Sequence, residues 1–195
     1  PFLPSGELYT NDDNPIELEF SSQAELGNYN LNILVTSVVA DGDIYEREFE
    51  IIVNISLNQY GWPLNSGFQV VSSPLITDFN NDGNLEIIFG DYAGLLHITD
   101  RNGSELPGFP FDTGNQIWGS PAVGDIDMDG NQEVVITSKS KHLFVINENG
   151  EVELDYFADQ FLMGTPALGN LDDYPDLEIV FGGFDSQGKI FAIDH

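Results

Sequence analysis

The chain reads as all-β: a partial β-propeller of about two and a half four-stranded blades over residues 57–195, preceded by a β-sandwich-like fragment over residues 1–56. Three observations predict this. An acidic pattern at Asp78–Glu86 returns 47 residues later at Asp125–Glu133. Proline-bearing marks, Ser73-Pro74, Ser120-Pro121 and Thr165-Pro166, precede three copies of one unit, and Asp100, Asn147 and Asp194 close them at even spacing. Between the marks lie short runs rich in Val, Ile, Leu and Phe, about four strands per unit, which is the content of a propeller blade.

Before Ser56 the repeat marks vanish and long alternating strands take over. Tyr29, Leu31, Ile33 and Val35 define one face, and Tyr45, Phe49, Ile51, Val53 and Ile55 follow the turn Asp41-Gly42-Asp43. With Ile16–Phe20 these make about three strands, too few for an independent sandwich. The segment resembles the C-terminal half of an immunoglobulin-like module of the kind appended to secreted bacterial hydrolases.

Leu57–Val71 corresponds by phase to the outermost strand of a blade, and Trp62-Pro63 and Phe109-Pro110 recur at one phase within it. The next strands are expected at Leu85–Phe89, Glu133–Ile136 and Leu177–Phe181, then at Leu95–Thr99, His142–Ile146 and Lys189–Ile193. The third unit stops at His195, where its closing turn is expected, so the chain reads as part of a longer one. An arc of this kind leaves a sheet face uncovered at its ends, and its N-terminal edge is expected to meet the rest of the propeller in the full-length chain.

The acidic loops carry the chemistry. A hard cation such as calcium takes six to eight oxygen ligands, and carboxylates at alternate positions of a tight loop converge on one point if glycine permits the sharp turn. Asp78, Asn80, Asp82, Asn84 and Glu86 supply the first set, with Gly83 at the turn; Asn84 would contribute its backbone carbonyl. Asp125, Asp127, Asp129, Asn131 and Glu133 repeat it around Gly130. Neither loop is an EF-hand, because its twelfth position is Phe89 or Ile136 and a strand follows. Two calcium ions are expected, with magnesium or manganese compatible with the same ligand types.

A third loop offers Asn170, Asp172, Asp176 and Glu178, but Tyr174 replaces the third carboxylate and Pro175 the glycine. Proline can neither adopt positive φ nor donate an N–H. The loop is therefore a weaker candidate, holding either a looser ion or none, as an Asx/Pro turn.

The pattern Asp-x-Asp/Asn-x-Asp-Gly-x-x-Glu, flanked by Ser-Pro and by Ile87-Ile88-Phe89-Gly90 or Val134-Val135-Ile136-Thr137, resembles the FG-GAP repeats of integrin alpha chains and the related VCBS repeats of bacterial surface proteins. The resemblance covers residues 57–195. It implies a seven- or eight-bladed propeller of a secreted or surface protein, with an extracellular or cell-surface location.

Composition narrows the partners. A net charge of −28, with five basic residues against 33 acidic ones, repels phosphate backbones and anionic lipid, so neither nucleic acid nor membrane insertion is expected. Two divalent cations bring −28 only to −24, so most of the acidity is solvated surface. Cysteine is absent, which removes disulfides and thiolate sites.

Loops of an antiparallel blade alternate between its two ends, so the metal loops are expected opposite a second set. That set comprises Gly90–Gly94, Thr137–Lys141, Gly182–Gly188, Asn65–Ser72 and Asp112–Gly119. A protein or glycan ligand is expected there, with Tyr92, Trp118 and Trp62 as candidate stacking residues and blade packing as their alternative role.

No nucleophile elbow, phosphate loop or zinc spacing occurs, and His97 aligns with Phe144 and Phe191 as a packed ring. The expected function is a non-catalytic, calcium-stapled recognition or adhesion module. The alternative is the propeller of a secreted enzyme, such as a calcium-dependent polysaccharide lyase, or the accessory module of a secreted peptidase.

Overall fold

The computed structural model describes residues 25–38, 42, 44–59 and 61–194. The chain divides into two compact units, Pro1–Asn58 and Gln59–His195. Ile16–Phe20, Asp41 and Asp43, to which the sequence assigns a strand and a turn, lie outside the described residues, as does the side chain of Tyr45.

In the first unit, β1 (Gly27–Val38) and β2 (Ile44–Ile55) form one antiparallel ribbon. Tyr29 pairs with Val53, Leu31 with Ile51 and Ile33 with Phe49, so the apolar alternation of both strands falls on one face. Val35 meets Arg47, where that face turns polar.

The second unit contains three four-stranded antiparallel sheets and, among the described residues, no helix. The first sheet runs in chain order through β3 (Leu75–Thr77), β4 (Glu86–Gly90), β5 (Leu95–Thr99) and β6 (Phe111–Asp112). The second runs through β7 (Ala122–Gly124), β8 (Glu133–Thr137), β9 (His142–Ile146) and β10 (Val152–Phe157). In the third, β13 (Glu178–Phe184) pairs with β11 (Phe161–Leu162), β12 (Ala167–Gly169) and β14 (Ile190–Ile193). The apolar runs chosen from the sequence thus become strands within a residue or two, except that β13 extends three residues further.

Leu57–Val71 differs from expectation: its described residues form no strand. Its repeat counterpart Phe111–Asp112 becomes a strand by pairing with Leu95 and Leu96, whereas Leu57–Val71 meets no such edge among the described residues. A strand requires a partner for its N–H and C=O groups, whatever its side chains favour.

Alternation along the strands builds two cores. Ile88, Leu96 and Ile98 of the first sheet pack with Val134, Ile136, Phe144 and Ile146 of the second. The opposite face of the second sheet offers Val135, Leu143 and Val145 to Leu162, Ile179 and Phe181. Every residue of β8 is buried in consequence, which explains its uninterrupted Val-Val-Ile run. Outer positions Ile76 and Ile190 remain exposed.

Hydroxyls tie the sheets together. The N–H of Ser73 donates to Ser120 Oγ at 2.8 Å, and the N–H of Ser120 donates to Thr165 Oγ1 at 2.9 Å. Ser120, before the middle repeat-marking proline, is therefore a seam: its hydroxyl accepts from one copy while its amide donates to the next.

Candidate metal centre

The acidic loops connect β3 to β4, β7 to β8 and β12 to β13, so all three lie at one end of their sheets. They also touch in sequence. Asn81 Nδ2 donates to Gly130 O at 3.4 Å, and the N–H of Leu177 donates to Ile126 O at 2.9 Å.

Within the first loop, Asp78 Oδ1 accepts from Asp82 N–H and Oδ2 from Gly83 N–H, both at 3.0 Å. Gly83 has φ 88°, the left-handed geometry that the sequence assigned to glycine. Asn80 Oδ1 accepts from Asp82 N–H, and its Nδ2 donates to Asp82 Oδ2. The N–H and Nδ2 of Asn84 both donate to Asp82 Oδ1. The backbone N–H of Asn84, followed by its side chain, holds the Asp82 carboxyl below the usual carboxylate range. Glu86 reaches back from β4, Oε2 accepting from Phe79 N–H at 2.9 Å, and burial pushes its pKa up.

The second loop repeats this wiring. Asp125 Oδ2 accepts from Gly130 N–H, Asp127 Oδ1 from Asp129 N–H, and Asp129 from both nitrogens of Asn131. Glu133, 2% exposed, accepts from Ile126 N–H at 2.9 Å. Oxygens of Asp125, Asp127 and Glu133 lie within 4.8 Å of one another. Among the described residues, Asp125 Oδ1 is buried with no hydrogen-bond partner. Burial, only partly offset by the Ile126 N–H and reinforced by Glu153, Asp127 and Asp129, raises Glu133 to about 7.

A buried oxygen without a donor, beside a buried Glu133 and an exposed Asp127, is what a hard cation satisfies, so the donor set fits a hard divalent ion. Asp78, Asp82 and Glu86 do not converge as closely: among the described residues they form no equally tight group. Asn80 stands where the second loop has Asp127, and its amide nitrogen occupies Asp82.

The third loop is wired differently. Asn170 Nδ2 donates to the carbonyls of Tyr174 and Asp176, reversing the acceptor role of Asp78 and Asp125. The clustered carboxylates there are those of Asp172, Glu178 and Asp194. Sequence phase nominated the first two but missed Asp194, which comes from beyond β14. The register Ile179↔Ile193 brings it across from Glu178, a signal readable only once the strands are paired.

At the other end, backbone hydrogen bonds join Asn65–Ser72, Gly90–Gly94, Asp112–Gly119 and Thr137–Lys141. Tyr92 N–H donates to Gln69 O, Ile117 N–H to Asp91 O, Lys139 N–H to Gln116 O and Ala158 N–H to Lys141 O. Trp118, 37% exposed, stacks on Tyr92 at 5.3 Å, and Lys139 Nζ lies 5.3 Å from its ring centroid. Trp62 instead donates Nε1–H to Arg101 O at 3.0 Å at the metal-loop end.

His97, 6% exposed, stacks on Phe89 at 4.7 Å, as Phe191 stacks on Phe181 at 5.0 Å. Its ring nitrogens meet Glu105 at 2.5 Å and Asp91 at 3.4 Å. His142 stacks on Phe144 and hydrogen-bonds Asp155.

A family model described as FG-GAP-like repeat matches residues 78–136. The matched span begins at Asp78 and takes in both glycine-bearing loops, with β4 to β8 between and beyond them. It stops before the loop with Pro175, where the hydrogen bonding also departs. No curated protein matches the chain.

Proposed function

We propose that this chain is a non-catalytic recognition module of an extracellular or surface protein, in which calcium staples the acidic loops and a protein or glycan ligand binds the opposite loops. The carrying observation is the convergence of Asp125, Asp127 and Glu133 in a loop whose partner stands at the same repeat phase. Repeats of this type are non-catalytic and occur typically in extracellular or surface proteins. Stacked sheets with closing hydroxyl seams support reading residues 57–195 as blades of a larger propeller, related to VCBS repeats of bacterial surface proteins, with an immunoglobulin-like segment before them.

The metal is a staple in this reading because the loops it spans connect first and second strands and adjoin one another, away from Tyr92 and Trp118. Extracellular calcium modules typically have Kd of ~10⁻⁴ to 10⁻³ M. A lyase would need a base beside a metal loop, whereas His97 is held by a stacked ring and two carboxylates.

The test is thermal unfolding in chelator and in calcium. At a hundredfold excess over Kd, each bound ion adds about 2.7 kcal/mol, or roughly 5–10 °C in Tm for a chain of this size. A Tm unchanged up to about 100 mM calcium, a hundredfold excess over the weaker end of that Kd range, would remove the staple.

A further inference from the structure

Resting on the calcium reading above, we infer that Asp194 completes a third cation site, built on a different ligand set from the other two. It combines Asp172 of the loop, Glu178 at the start of β13 and Asp194 at the end of β14, whose oxygens lie within 4.8 Å of one another.

An acidic trio on a surface needs no ion. Here Glu178 is 6% exposed, and among the described residues its Oε1 is buried without a hydrogen-bond partner, while Oε2 accepts from Leu171 N–H. A buried carboxylate beside two further carboxylates, with one oxygen lacking a donor among the described residues, is satisfied by a cation or a proton. The strand register makes this a property of the sheet: Ile179 pairs with Ile193, so Asp194 and Glu178 face each other across two strands, where like charges repel.

The loop itself explains why the ligand set changed. In the first two loops the leading Asp accepts from the N–H of Gly83 or Gly130. Pro175 stands at that phase and has no N–H. The leading residue is now an amide, Asn170, and it donates Nδ2–H to the carbonyls of Tyr174 and Asp176. Asn170 and Pro175 are thus a matched exchange of donor for acceptor. It preserves the loop by turning its first residue inward, and the carboxylate it gives up is supplied from across the sheet by Asp194. An all-carboxylate oxygen set selects a hard divalent ion or a lanthanide over thiophilic metals.

Tyr174 lies in this loop, and the first two loops contain no Tyr or Trp, so tyrosine-sensitised terbium emission reports on the third site. Terbium is titrated into the full chain after chelator is removed, with excitation of tyrosine, and calcium uptake is counted by calorimetry on the same samples. The expected result is three calcium ions for the wild type, two for Asp194→Asn and three for Asn170→Ala. Asp194→Asn should also weaken the sensitised terbium signal at least about tenfold in apparent Kd, and Tyr174→Phe should abolish it with the ion count unchanged. Two ions in the wild type, unchanged by Asp194→Asn but lost on substituting Asp78 and Asp125, would overturn the third site and leave the calcium reading intact. No uptake by any variant would overturn both. Circular dichroism of Asp194→Asn, an exposed position, confirms that lost binding is not lost folding.

Discussion

Glu133→Gln should stabilise the ion-free protein at neutral pH and weaken the calcium-loaded one. Glu133 rises from 4.5 to about 7 because its carboxyl is buried among other acids, so ionising it in the folded protein is costly. A raised carboxyl contributes stability that is complete below about 4.5 and is lost as pH climbs through about 7. At about 1.36 kcal/mol per pH unit the ceiling is about 3 kcal/mol; solvent screening at a loop edge brings the expected effect to about 1.5 kcal/mol. Gln keeps the acceptor for Ile126 N–H, so the bond to the loop survives. The assay is urea unfolding of both chains at pH 5, 6, 7 and 8, in chelator and in saturating calcium. In chelator the variant should gain on the wild type with each step from pH 5 to 8; in calcium the order should reverse, since a neutral oxygen is the poorer ligand. A difference between the two chains that stays flat with pH in chelator would refute the buried-charge account.

Two further outcomes test the packing. Gly108 has φ 87°, and a Cβ there would lie 2.3 Å from Asn149 O, a contact that Gly61 and Asn102 reproduce one repeat earlier at 1.9 Å. Gly108→Ala should cost about 2–4 kcal/mol by chemical denaturation, and a loss under about 1 kcal/mol would mean the turn relaxes freely. His97→Phe should cost less than about 1.5 kcal/mol, because it restores the ring pair present at Phe181 and Phe191, while His97→Ala should cost about 3 kcal/mol. Equal losses would assign the stabilisation to Glu105 and Asp91 instead of the stacked ring.

The sheets were legible because local pattern and tertiary context agree. β8 carries the unbroken apolar run Val134 to Ile136 and is buried on both faces, whereas β1 and β2 alternate and carry their apolar residues on one. The glycine positions in the first two loops could also be read directly, since Gly83 and Gly130 take the positive φ that the turn demands. What sequence spacing could not show depends on pairing between distant segments. The hydroxyl of Ser120 marks a repeat in the sequence and joins two sheets in the fold. Asp194 looked like a closing residue equivalent to Asp100, and only the register of β13 with β14 brings it beside Glu178. Leu57–Val71 shows the converse, for it has the phase of a strand while its described residues form none.

The double coverage of the middle sheet also sets a hierarchy of motion. β3 and β14 each have exposed positions and can fray by releasing one neighbour. The amides of β8 have no path to water that leaves both adjacent cores intact. In a linear stack with nearest-neighbour coupling, its exchange with solvent therefore reports the opening of the whole stack, and the hydrogens of Val134 to Ile136 are the last to be lost.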